Sequence, residues 1–111
     1  MTAEQESYNC SNKEQVLEKF RKATPIFQAL GDTNRQQLVM LLLEHNSLNV
    51  NQLTERMDIS RPAVSHHLKI LRQAGLITFH KQANEKLYSL SAREFLTNIQ
   101  DLMAAIESGL D

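Results

Sequence analysis

The stretch Ser60-Arg61-Pro62-Ala63-Val64-Ser65-His66-His67-Leu68-Lys69-Ile70-Leu71-Arg72-Gln73-Ala74-Gly75-Leu76-Ile77 decides the fold. It reads as a helix over 61–74 with both ends marked. Ser60 can accept from the free backbone N–H groups of the first turn, and Pro62 sits in that turn, where its missing N–H costs nothing. Gly75 suits the left-handed conformation that stops a helix. Between these marks Val64, Leu68 and Leu71 recur at steps of four and three, flanked by Ile70 and Ala74, and form one stripe to bury. The opposite face carries Arg61, Ser65, Lys69 and Arg72, with His66 and Gln73 beside them and no acid. A donor-rich, acid-free face on about four turns of helix fits the major groove of DNA. The alternative is a plain surface helix that happens to lack acids, and the neighbouring sequence decides between the two.

Upstream, Asn49 with Gln52 three residues on is a capping pattern. It opens a short helix near 50–57, with Leu53 and Met57 inward. Asp58-Ile59-Ser60 then turns into the 61–74 helix, and two helices so joined make a helix-turn-helix. Asp32-Thr33 starts an earlier helix over about 33–45. Its Leu38, Val39, Leu41, Leu42 and Leu43 make it apolar nearly all round, as expected of the central core helix. Arg35 near its start reaches either outward to phosphate or inward to an acid. Further back, Ser11 with Glu14 forms a capping box for a helix over 12–23, with Val16, Leu17 and Phe20 on one face. Thr24-Pro25 restarts the chain, Ile26, Phe27 and Leu30 continue the apolar theme, and Gly31 ends that piece. Residues 1–10 are polar and are expected to be a flexible N-terminal tail. Residues 11–111 form a single domain on the usual size prior.

Downstream of Gly75 the periodicity changes from helical to alternating. Ile77 and Phe79 match Tyr88 and Leu90 across the polar run Lys81-Gln82-Ala83-Asn84-Glu85-Lys86. The spacing predicts a β-hairpin over 76–90 with a flexible tip bracketed by Lys81 and Lys86, a wing whose lysines can lie along phosphates. Ser91 with Glu94 caps a last helix over about 92–108. Its apolar face, Phe95, Leu96, Ile99, Leu102, Met103 and Ile106, is wider than one small core needs. The expected fold is mainly α with a small β-hairpin, a winged helix-turn-helix. Dimerisation would use the first and last helices, through Val16, Leu17, Phe20, Phe95, Ile99, Leu102, Met103 and Ile106. Helix-turn-helix readers commonly pair to span two half-sites.

The charge is distributed to match. Residues 61–86 hold five basic residues against the single acid Glu85, a net +4, while the rest, seven basic and twelve acidic, carries −5. A basic face on a mildly acidic body is an electrostatic footprint of nucleic-acid binding, and the acidic side is repelled by phosphate. Cys10 is the one cysteine, which excludes an intramolecular disulfide and a cysteine-rich metal cluster. No apolar run approaches a membrane span and no signal-peptide core opens the chain, so the expected setting is the bacterial cytoplasm, and the nucleoid when bound to DNA. Ser65 beside His66 is a sequence neighbour rather than a nucleophile with an oriented base, and three glycines leave little room for a phosphate loop. No enzyme activity, catalytic residue or cofactor is expected.

Three segments together resemble a known family: Ala29-Leu30-Gly31-Asp32-Thr33-Asn34-Arg35, then Ser65 through Ile77, then Leu87-Tyr88-Ser89-Leu90. In order and spacing, over roughly 15–108, they look like the ArsR/SmtB family of bacterial transcriptional repressors. The resemblance implies a winged helix-turn-helix homodimer that binds a promoter operator. Many members release DNA on binding a metal. One family site uses a Cys-Val-Cys element, and here those positions read Asn49-Val50-Asn51; amides are poor ligands for soft metals. Another uses histidines and acids of the last helix, which here has Glu94, Asp101 and Glu107 but no histidine. A third uses paired N-terminal cysteines, and Cys10 has no partner thiol. No metal site is expected.

Of the four histidines, His67 lies toward the Val64 and Leu71 edge and reads as a packing or hydrogen-bonding residue. His66 faces outward, His45 ends a helix and His80 lies at the base of the wing. The expected DNA-contacting set is Arg61, Pro62, Ala63, Ser65, His66, Lys69, Arg72, Lys81 and Lys86. Two rival readings are a winged-helix module that binds protein instead of DNA, and a thiol sensor through Cys10.

Overall fold

The structure, a computed structural model, describes residues 13–110. Its elements in order are α1 (Lys13–Leu30), α2 (Thr33–Glu44), α3 (Val50–Glu55), α4 (Arg61–Gln73), β1 (Ile77–Gln82), β2 (Glu85–Leu90) and α5 (Ala92–Ser108). The architecture is mainly helical with a two-stranded antiparallel hairpin, the winged helix-turn-helix arrangement.

The helix starts follow the capping chemistry read from the sequence in three of four described cases. Asp32 accepts from Arg35 N, Asn49 and Gln52 form a reciprocal capping box, and Ser60 accepts from Ala63 N with Pro62 in the first turn. At α5 the expected box is absent: Ser91 takes φ −108°, ψ 62° and makes no side-chain cap bond. Its backbone N–H donates instead to Leu76 O at 2.9 Å, which ties the helix start to the root of the wing. The proposed Ser11 box and the tail over 1–10 lie outside the described residues.

A second difference is at Pro25. The sequence predicts a break there, yet α1 runs through it as one helix of 18 residues. Pro25 and Arg21 both lie on the exposed side, so the Arg21 carbonyl that loses its partner faces solvent. Ala23, Ile26 and Ala29 are buried on the other side, and this packing continues past the proline. The Thr24 hydroxyl also donates to Phe20 O at 2.7 Å.

The core joins Ile26 and Ala29 of α1, Leu38 and Leu42 of α2, Leu53 and Met57, the α4 stripe Val64, Leu68 and Leu71, and Leu76 and Ile77 entering the wing. The three α4 residues are fully buried, and each stabilises the fold by about 2 kcal/mol. Helix α2 is central but not buried all round: Met40 and Leu43 are more than half exposed. Gly75 takes φ +82° after α4, as a helix stop requires. Leu48 pairs with Tyr88 through two backbone hydrogen bonds and adds a single bridge to the edge of the hairpin.

Helices α1 and α5 pack along each other, and beyond the core they extend as a pair, with Lys19 Nζ 3.9 Å from Asp101 Oδ2. The molecule is accordingly long, 59 × 25 × 20 Å. Its radius of gyration is 18.0 Å, where a compact domain of this length has about 13 Å.

Candidate nucleic-acid interface

The buried stripe of α4 fixes what the helix shows to solvent. With Val64, Leu68 and Leu71 turned into the core, Arg61, Pro62, Ser65, His66, Lys69 and Arg72 are exposed and Ala63 is half-buried. No acid interrupts this face.

The wing stands beside it. The register pairs Ile77 with Leu90, Phe79 with Tyr88, Lys81 with Lys86 and Gln82 with Glu85. The strands therefore run almost to the end of the hairpin, and the turn is the two residues Ala83-Asn84, shorter than the tip expected between Lys81 and Lys86. Lys81 and Lys86 are exposed and directly opposite, on the same strand face as Phe79. Like charges so placed repel, and an anion between them relieves that repulsion.

Phe79 organises the cations. The Arg72 guanidinium carbon lies 4.9 Å and Lys86 Nζ 4.8 Å from the centroid of its ring, with the Tyr88 ring 5.5 Å away. Such contacts hold long side chains in place while leaving their N–H groups for another acceptor. Between α3, α4 and the wing lies a polar cleft of about 400 Å³, lined in part by Asn51, Arg61, Ser65, Glu85 and Lys86. Arg61 Nε donates to Asn51 Oδ1 at 2.9 Å, which aims the guanidinium and leaves its outer N–H groups open to the cleft. Asn49 Nδ2 donates to Glu85 Oε1 at 2.9 Å, linking α3 to the wing and turning the one acid of this region toward an amide.

The positions that resemble a metal element thus hold amides already paired with different partners, Asn49 with Glu85 and Asn51 with Arg61. They do not fit a soft metal ion. Among the described residues no three histidine, cysteine, aspartate or glutamate side chains are grouped to hold a metal. His45 and His80 are exposed and apart from the α4 histidines in the chain. Cys10 lies outside the described residues. No helix among the described residues is long and apolar enough to cross a membrane.

Sequence reading missed Phe79, Asn49, Asn51 and Glu85 as parts of this site. The sequence marks Phe79 only as a strand residue; its place between Arg72 and Lys86 depends on the hairpin register. Asn51 carried no signal of its own, since its partner is ten residues away.

The apolar residues expected at a dimer interface divide into two sets. Leu102 is buried within the chain, while Phe95 and Ile99 pack on its core. These three hold α5 in place. Val16 and Ile106 are half-buried, and Leu17, Phe20 and Met103 are 47%, 42% and 56% exposed. Leu96, near the start of α5, and Leu110, just past its end, add further exposed apolar surface.

Comparison with known proteins agrees with this geometry. The model of the family described as "Bacterial regulatory protein, arsR family" matches residues 32–78, the span from α2 through the first residues of the wing. The chain is 33% identical over 89 residues to the transcriptional activator HlyU of Vibrio cholerae, covering 80% of this chain and 82% of that protein. It is 31% identical over 84 residues to the transcriptional repressor SdpR of Bacillus subtilis, covering 76% and 92%. Among solved structures, reduced HlyU from Vibrio cholerae matches with a TM-score of 0.67 at 31% identity, over 82% of this chain and 95% of that one. An ArsR-like transcriptional regulator from Rhodococcus matches with a TM-score of 0.70 at 25% identity, over 77% and 79%. The acid-free helix, the basic wing and these relatives lead to one conclusion: the chain belongs to the arsR family and is a DNA-binding transcriptional regulator.

Proposed function

We propose that the chain is a homodimeric repressor that reads an inverted-repeat promoter operator, with α4 in the major groove and the wing along the flanking backbone. The observation that carries this reading is the exposed, acid-free face of α4 standing beside paired wing lysines. Arg61, Ser65, His66 and Lys69 reach base edges or adjacent phosphates. Pro62 and Ala63 meet a thymine methyl at the helix start. Arg72, Lys81 and Lys86 position the protein through phosphates, which fix register without reading sequence.

The dimer is built from α1 and α5. Val16, Leu17, Phe20, Met103 and Ile106 supply the contact surface, and Leu102, Phe95 and Ile99 support it from within the protomer. The relatives include a named activator and a named repressor, and repression is the reading taken for an operator that overlaps the promoter. The protein acts in the cytoplasm, on the nucleoid when bound, and the reading assigns it no reaction.

Substituting Ser65 or His66 tests the base-reading role. Each variant should change the preferred sequence in a binding selection. Equal loss of affinity on every sequence would make that residue a positioning contact instead.

A further inference from the structure

We infer that Arg35 is a positioning residue for DNA binding, holding the recognition helix α4 at a set distance from the end of α1 by donating a hydrogen bond to His67. The inference rests on the DNA-binding reading of α4.

The guanidinium of Arg35 is enclosed by groups of three helices. Nε donates to Ala29 O at 2.6 Å and Nη2 to Gln28 O at 3.4 Å, so the last carbonyls of α1 are capped from the first turn of α2. Gln36 Nε2 completes the cap on Leu30 O at 2.7 Å. The partial negative charge at a helix C-terminus favours such a cation, and α1 has no basic residue in its own last turn. Nη1 lies 4.0 Å from Asp32 Oδ2 and 3.2 Å from His67 Nδ1. The side chain is only 15% exposed.

Chemistry sets the direction of the last bond. A guanidinium has no acceptor, so His67 Nδ1 must accept, and the imidazole proton resides on Nε2. The sequence places His67 on α4 directly after His66, whose ring lies 5.8 Å away on the DNA-facing side. One charged side chain thus joins the end of the dimerisation helix, the start of α2 and the recognition helix. The apolar core joins the same helices deeper down, through Ile26, Ala29, Leu68 and Leu71, and Arg35 is the polar link at its edge. Beside it, between α1 and α4, is an open hollow of about 280 Å³ lined by Pro25, Gln28, Ala29, Ile70, Gln73 and Ala74 as well as Arg35.

Two substitutions at one position separate positioning from bulk structure. Asparagine places a carboxamide oxygen near where Nδ1 stands and can accept from Arg35. Glutamine carries its amide out to the position of Nε2 and cannot. With an operator selected by the unaltered protein, His67→Asn should bind within about threefold of it, while His67→Gln and Arg35→Gln should lose about tenfold or more. Circular dichroism confirms that each variant is folded. The nitrogen-15 resonances of the His67 ring should show an unprotonated Nδ1 in the unaltered protein and a mixture of tautomers in Arg35→Gln. Equal binding by His67→Asn and His67→Gln, unchanged binding by Arg35→Gln, or a protonated Nδ1 would overturn the inference alone. Absence of DNA binding by the unaltered protein would overturn the DNA-binding reading, and this inference with it.

Discussion

Asp32 starts α2 and also serves the link between helices. Its carboxylate accepts from the Arg35 backbone N–H at 3.1 Å, and that bond, more than the nearby guanidinium, holds its carboxyl below the usual 3.8. A depressed folded-state pKa adds stability above the unfolded value, and that stability is lost as the pH falls through the folded value. Asparagine caps a helix about as well as aspartate, so Asp32→Asn isolates the charge. Its melting temperature should fall below the unaltered protein's at neutral pH, and the gap should close below about pH 4. A gap that persists in acid would mean that the loss is steric.

Also at the residue scale, Ala83 holds φ 58° in the wing turn. A residue with a Cβ is strained there by about 1 kcal/mol, and glycine is not. Ala83→Gly should raise the melting temperature by a few degrees, net of glycine's entropy cost. A lower value would show that the turn is not strained. Strain of this kind is not legible in sequence, where the run from Lys81 to Lys86 is simply polar and turn-like.

At the scale of elements, the sequence was most informative where one residue decides a local geometry. The Ser60 cap, Pro62, Gly75 and the Val64-Leu68-Leu71 stripe each appear in the structure as read. It was least informative where one element answers to another. Pro25 reads locally as a helix start, and only the packing of Ala23 and Ile26 on either side keeps α1 continuous. Ser91 reads as a cap, but the root of the wing takes its backbone N–H. The basic surface was legible because charge shows in composition, whereas the bonds that orient it were not, since Asn51–Arg61 and Arg72–Phe79 join separate elements.

Replacing Lys81 by alanine should weaken binding to all sequences alike and reduce the salt slope by about one per subunit; an unchanged slope removes Lys81 from the phosphate contacts. Asn51→Ala should weaken operator binding by about fivefold by freeing Arg61, and should have no further effect in an Arg61→Ala background. Additive losses would mean that Asn51 acts on DNA independently.

The whole molecule is a compact reading head with a two-helix arm. An antiparallel pair such as α1 and α5 cannot bury both its faces, and Leu17, Phe20 and Met103 remain exposed along it. A second copy laid on that arm would cover them and set two reading heads apart by the spacing a repeated half-site needs. Leu17→Glu combined with Met103→Glu should convert a dimer to monomer in sedimentation and lower operator affinity, while leaving circular dichroism unchanged. A dimer that persists would place the interface elsewhere. Whether a dimer of this chain reads DNA sequence is decided by selecting the purified protein against a random-sequence DNA pool at two salt concentrations. The expected result is enrichment of an inverted repeat with half-sites about one helical turn, roughly 10 base pairs, apart, and affinity that falls steeply with salt. Weak, salt-insensitive binding without enrichment would contradict it and favour a winged helix that docks on protein.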